Sequence, residues 1–121
     1  MREIGDVMEE LPVNPYPLTK AEKDTLEKIK AKNCKVAADV SKAIADPVRI
    51  KIIEALRQRE LCVCVLVDLT GLQYSTLSYH LKQLKDTGLV ASDKDGSYQI
   101  YSLTPKGKVI HSFIQLLDDS Y

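Results

Sequence analysis

Leu77, Leu81 and Leu84 recur at three- and four-residue intervals between Tyr74 and Thr87, which is the period of a helix with one buried face. Ser75, Ser78, Tyr79, Lys82 and Asp86 fall on its other side, so the same period predicts a solvated, hydroxyl-rich face. Thr70-Gly71-Leu72-Gln73 ahead of it reads as a turn, with Gly71 placed to end a preceding helix in a left-handed conformation, and Gly88 stops the helix. Further helices are patterned on either side. Thr19-Lys20-Ala21-Glu22 matches a capping box and opens a sparsely apolar helix, with Leu26 and Ile29 among Lys28, Lys30 and Lys32. Val36, Val40, Ala43 and Ile44 stripe a second helix. Asp46-Pro47 caps a third that runs to about Arg57, with Val48, Ile52, Ala55 and Leu56 inward. Thr104-Pro105 repeats that signature before a last helix striped by Val109, Ile110, Phe113, Ile114 and Leu117.

Residues 61–66 are continuously apolar, and periodicity alone fits a buried strand as well as a helix. Their neighbours favour a helix, which predicts a helix-turn-helix over about residues 62–87. Residues 90–93 and 98–103 are strand-like and are joined through Lys94-Asp95-Gly96-Ser97, where Asp-Gly is a hairpin signal. The expected architecture is mainly α with a small β-hairpin, a winged helix-turn-helix with additional N- and C-terminal helices. Its wing spans about residues 90–103 and its C-terminal helix about residues 105–118. Residues 1–18 carry Pro12, Pro15 and Pro17 without a helical period and read as an acidic, mobile arm, leaving residues 19–121 as the folded domain.

A chain of 121 residues, 45% hydrophobic and 28% charged, fits one globular domain. No apolar run approaches the roughly 20 residues needed to span a bilayer. Glu3, Asp6, Glu9 and Glu10 make the N-terminus unlike a secretory signal, so a cytoplasmic location is expected. Formal net charge is zero, which taken alone disfavours a nucleic-acid ligand. The acidic arm conceals a bias, however, because residues 19–121 hold 16 bases against 13 acids. DNA affinity at such a weak excess must come from local placement and from two copies of the chain.

A helix docked in a major groove needs short donors and acceptors near its N-terminus and a cation further along. Gln73, Tyr74, Ser75, Thr76, Ser78 and Tyr79 supply the first and Lys82 the second, while Lys94, Ser97 and Tyr98 are the wing's candidate contacts. His80 lies one turn from Leu77 and Leu84 and reads as a packed structural histidine. Three cysteines, Cys34, Cys62 and Cys64, are an odd number and too few for a secreted disulfide framework. Cys62 falls where a helix N-cap is expected, and the free amides there favour the thiolate, the form that binds soft ions. Two residues apart on a regular helix, the Cys62 and Cys64 sulfurs would point to nearly opposite sides, so joint ligation would distort the first turn. Buried small hydrophobes are the plainer alternative for both.

Several ordered motifs together resemble the ArsR/SmtB family of metal- and metalloid-responsive repressors. They are Lys42-Ala43-Ile44-Ala45-Asp46-Pro47-Val48-Arg49, Glu60-Leu61-Cys62-Val63-Cys64, Ser75-Thr76-Leu77-Ser78-Tyr79-His80-Leu81, Gly88-Leu89-Val90 and Tyr101-Ser102-Leu103, within about residues 36–117. The resemblance implies a homodimeric repressor, paired through its terminal helices, that leaves double-stranded operator DNA when an inducer ion binds. It makes Cys62 and Cys64 metal ligands and Cys34, at the end of the N-terminal helix, a candidate third, within or across protomers. Trivalent arsenic or antimony favours three thiolates and is the leading inducer. Cadmium, lead or zinc would need a fourth ligand that the chain does not display.

Two departures leave the ion open. Val65 stands where arsenic- and cadmium-sensing relatives usually have Asp, and Val67 where some arsenic sensors have Cys. The family's carboxylate and histidine site on the last helix does not carry over, because that helix starts Pro105-Lys106-Gly107 and holds only His111. Oxidation of the same cysteines to a sulfenate or disulfide is an alternative switch. A protein-interaction or metal-buffering module is the alternative of a different class. No base, nucleophile and orienting group form a recognisable catalytic signature.

Overall fold

The computed structural model describes residues 15–119. In chain order these form α1 (Lys20–Ala31), α2 (Lys35–Ile44), α3 (Pro47–Gln58), β1 (Leu61–Cys62), α4 (Val63–Thr70), α5 (Tyr74–Asp86), β2 (Val90–Asp95), β3 (Tyr98–Leu103) and α6 (Pro105–Asp119). The acidic arm expected over residues 1–18 lies outside the described residues as far as position 14. Among the described residues no helix is long and apolar enough to cross a membrane.

The chain divides between Asn33 and Cys34 into two compact units. The first contains α1, whose entry is closed reciprocally: Glu22 N–H donates to Thr19 Oγ1 at 3.1 Å and Thr19 N–H donates to Glu22 Oε1 at 2.9 Å. Those bonds hold the Glu22 carboxyl below its ordinary pKa. No α1 residue is buried, as its sparse apolar pattern requires.

The second unit contains α2 to α6 and one hydrophobic core. Ile52, Ile53, Leu56, Leu66, Leu77, Leu81, Leu84, Leu89, Val90 and Ile114 meet there, with Val40 and Leu103 at its margin. The α3 stripe is therefore broader than its spacing suggests, because Ile53 is buried while Val48 and Ala55 are only half-buried. Asp46 caps α3 as expected, accepting from the Val48 and Arg49 amides at 2.8 and 3.3 Å. The α2 stripe keeps Val40 and Ala43 inside and leaves Val36 exposed.

The region that periodicity left ambiguous divides at Cys62, and the helix expected from there begins one residue later. Leu61 and Cys62 form a short strand and only Val63–Thr70 is helical. β1 pairs antiparallel with β3, Leu61 opposite Tyr101 and Cys62 opposite Ile100, so the hairpin becomes a three-stranded sheet in the order β1-β3-β2. Asp95 pairs with Tyr98, which leaves Gly96-Ser97 as a two-residue loop. Gly96 has φ 63°, the sign that a II′ hairpin demands at its first central position.

Gly107 has a packing reason that no pattern discloses. A Cβ there would meet the Leu89 carbonyl oxygen at 2.1 Å, so α6 sits directly on the backbone that leaves α5. Thr104 fastens the same junction, its hydroxyl donating to Gly88 O at 2.6 Å and accepting from Gly107 N–H at 3.0 Å.

Candidate DNA interface and thiol pair

Helix α5 is anchored by Leu77, Leu81 and Leu84, all buried, and enters after the left-handed Gly71, φ 69°. Thr70 reinforces that turn by donating to Leu66 O at 2.8 Å and accepting from Leu72 N–H at 3.3 Å. With the leucines inside, Gln73, Tyr74, Ser75, Thr76, Ser78, Tyr79 and Lys82 are all exposed, so the seven residues anticipated as readers are solvent-accessible on α5 and at its N-cap. Gln73 is the N-cap, but its side chain does not bond the helix amides. Lys82 pairs with Asp86 at 2.6 Å, and because both groups are well exposed the pair costs little to part. On the wing, Lys94, Ser97 and Tyr98 are exposed, and Lys85 Nζ ties the end of α5 to β2 through Ser92 Oγ at 2.6 Å.

Two contributors to this surface lie outside the expected set. Arg49, in α3, donates from Nε to His80 Nδ1 at 3.1 Å and from Nη1 to Ala43 O at 3.3 Å. Its guanidinium carbon lies 5.7 Å from the Tyr79 ring centroid. His80 is half-buried and held in this contact. The only cue in the chain was the arginine three residues after the Asp46 cap, and spacing could not pair it with a histidine 31 positions away.

The thiols are arranged differently from the expectation. Cys62 is the N-cap of α4, as its place in the sequence predicts, with extended backbone, φ −65° and ψ 147°. Its side chain therefore turns back over the first turn, where the Cys64 amide donates to its sulfur at 3.4 Å and the two sulfurs lie 2.7 Å apart. The sulfurs are neighbours, and the anticipated opposition across the helix does not occur. Two thiolates about 2.3 Å from one tetrahedral ion sit about 3.8 Å apart, so ligation needs the pair to open.

The pair also shares its protons unequally. Bonds from the Cys64 thiol and then the Cys64 amide hold the Cys62 pKa below the ordinary thiol value. Cys64 is raised, first because its thiol proton is committed to Cys62, then by desolvation and by the neighbouring negative charge. One thiolate forms readily and the second proton leaves with more difficulty. Cys34 is the exposed N-cap residue of α2, without a side-chain capping bond. Among the described residues no three His, Cys, Asp or Glu side chains converge as a metal-holding group, so Cys34 is not brought to the pair within one protomer.

A helix-turn-helix with a polar outward helix, followed by a two-stranded wing, defines a winged-helix DNA-binding regulator. The family model for bacterial regulatory proteins of the arsR family matches residues 46–92, from the cap of α3 into β2. The arsenical resistance operon repressor of Staphylococcus xylosus is 31% identical over 86 residues, covering 71% of this chain and 77% of the repressor. The cadmium resistance transcriptional regulatory protein of Listeria innocua is 41% identical over 61 residues, covering 50% of this chain and 51% of that protein. Among solved structures, the homodimeric winged helix-turn-helix DNA-binding domain of a possible ArsR-family regulator from Mycobacterium bovis superposes with a TM-score of 0.64. It is 26% identical and covers 84% of this chain and 88% of that one. The chain belongs to the ArsR family of transcriptional regulators.

Proposed function

We propose that the chain is a cytoplasmic, homodimeric repressor that α5 and the wing hold on a two-fold operator and that a soft ion bound at Cys62 and Cys64 releases. The observation that carries the reading is the sulfur pair itself, 2.7 Å apart at the start of the helix-turn-helix. Cys62 ends β1 and caps α4, so one side chain belongs to both the sheet and the DNA-reading motif. Opening the pair displaces β1, which is paired with wing strand β3, and α4, which packs against α5. Release requires the ion to prefer the DNA-free conformation by about 1 to 3 kcal/mol.

Trivalent arsenic or antimony is the favoured inducer. Two sulfurs are in place, and Cys34 of a second protomer is the candidate third. Cadmium, lead and zinc demand a fuller ligand set. The S. xylosus relative is named for arsenical resistance and the L. innocua relative for cadmium, so both ions belong in the test. The dimer rests on α6, where Val109, Phe113, Leu116 and Leu117 are exposed, and on the likeness to a domain described as homodimeric.

The adjacency of the sulfurs also favours a second reading, a disulfide switch. Peroxide would oxidise the two thiols to a disulfide and be reduced to two waters. Titration of the protein–DNA complex with arsenite, cadmium, zinc and peroxide separates the readings when repeated on Cys34→Ser, Cys62→Ser and Cys64→Ser variants. Arsenite is expected to release wild type and to lose its effect in the Cys62 and Cys64 variants. Peroxide-driven release that persists in chelator, with arsenite inert, selects the disulfide. A wild type that binds no duplex at low salt indicates an interaction or metal-buffering module instead.

A further inference from the structure

Arg49 lies in α3, outside the helix-turn-helix, yet its guanidinium joins three elements. Nη1 donates to the Ala43 carbonyl in α2 at 3.3 Å, and Nε donates to His80 Nδ1 in α5 at 3.1 Å. Two donors aimed at separate acceptors set the plane of the group, which a lysine could not do. That plane lies beside the Tyr79 ring, 5.7 Å from its centroid and within cation–π reach. The Tyr79 and His80 rings meet edge to face at 5.7 Å, with planes 68° apart. Tyr79 is meanwhile 56% exposed, on the same polar side of α5 as Ser75 and Ser78. A tyrosine that projects from a helix without a support loses rotamer freedom when it binds, and that loss subtracts from affinity.

We propose that Arg49 is a positioning residue for DNA reading: held by Ala43 and His80, its guanidinium supports the Tyr79 ring on the outward face of α5 before DNA arrives. Arg49 acts through Tyr79 and makes no phosphate contact of its own. The role rests on the reading of α5 as the DNA-reading helix. It also gives the half-buried His80 a task, as the acceptor that orients Arg49.

The test uses duplexes that the wild-type protein enriches from a pool randomised over about 20 base pairs, with an unenriched duplex as the non-specific control. Arg49→Gln is expected to weaken specific binding about three- to tenfold and to change non-specific binding less than about twofold. The dependence of affinity on salt stays as in wild type. In a Tyr79→Ala background the same substitution has less than about a twofold effect, because the group it supports is gone. His80→Asn keeps an acceptor oxygen near the Nδ1 position and retains most of the affinity, whereas His80→Leu behaves like Arg49→Gln. Thermal melts accompany every variant. If Arg49→Gln does not fold, Arg49→Lys, which keeps the charge and stem but not the two-donor fork, is expected to show the same selective loss.

An equal loss on both duplexes, with a salt slope reduced by about one, would make Arg49 a phosphate contact and overturn the proposal. An undiminished effect in the Tyr79→Ala background overturns it as well. If wild type enriches no duplex, the DNA reading fails and this role fails with it. If wild type enriches a duplex and Arg49→Gln binds it unchanged, only the role of Arg49 is removed.

Discussion

Helices α5 and α6 are held in the same way and differ in what they turn outward. α5 buries Leu77, Leu81 and Leu84 and exposes Tyr74, Ser75, Thr76, Ser78 and Tyr79. α6 buries Ile114, rests Gly107 on the α5 exit, and exposes Val109, Phe113, Leu116 and Leu117. An inward stripe fixes where a helix sits, and the outward stripe decides what it can meet. Hydroxyls and amphipathic rings suit a wet, polar groove, whereas four large apolar side chains on one helix suit a second protein surface.

Substitutions on each face should separate these roles, the largest effects coming from the inside. Leu81→Ala, at a position 2% exposed, is expected to cost about 2 to 5 kcal/mol in denaturant unfolding and to affect DNA binding only through loss of folded protein. Gly107→Ala drives a methyl into the Leu89 carbonyl and is expected to cost about 1 to 3 kcal/mol, with a lowered Tm. Outward on α6, Phe113→Lys should shift sedimentation toward monomer, weakening self-association by at least about 2 kcal/mol while each protomer stays folded. Outward on α5, Ser78→Ala should leave Tm unchanged and cost about 1 to 3 kcal/mol on the enriched duplex alone. If the α5 and α6 substitutions exchanged these phenotypes, the division of labour between the helices would be wrong.

The thiol pair offers a subtler prediction, read as reactivity against pH. Cys62 has the lowered pKa, so its thiolate persists to lower pH than an ordinary thiol, and alkylation followed by peptide mapping should find it modified before Cys64. Cadmium affinity should fall as pH drops through the Cys62 titration, and its binding should release a proton, because Cys64 keeps its own until the ion displaces it. Arsenous acid, whose hydroxides leave as water with the thiol protons, should bind with no net proton release. Equal alkylation rates at Cys62 and Cys64 would contradict the shared-proton arrangement.

Local signals carried most of the fold. The leucine spacing of α5, the Asp46-Pro47 and Thr104-Pro105 starts, Gly71 and the Asp95-Gly96 turn all act within a few residues, so each is visible in the chain. What escaped depends on partners far along the sequence. The Leu61–Cys62 strand exists because β3 lies beside it, and a two-residue strand has no period to detect. Removing Cys62 from the helix changed the geometry of the whole thiol site, turning sulfurs expected on opposite sides into neighbours. In the sequence the α6 stripe is one apolar band, and only packing divides Ile114, which serves the core, from Val109 and Phe113, which remain outside. Arg49, Tyr79 and His80 belong to helices that tertiary packing brings together, and no helical spacing links them.

Coupling between the thiol pair and the reading helix is most directly measured as DNA affinity in the presence and absence of saturating arsenite, with native mass spectrometry counting bound arsenic on the same samples. Wild type is expected to lose at least about fivefold in affinity when occupied. Cys62→Ser and Cys64→Ser should bind no arsenic and keep their DNA. Wild type that carries arsenic on Cys62 and Cys64 yet holds the duplex with unchanged affinity would contradict this coupling.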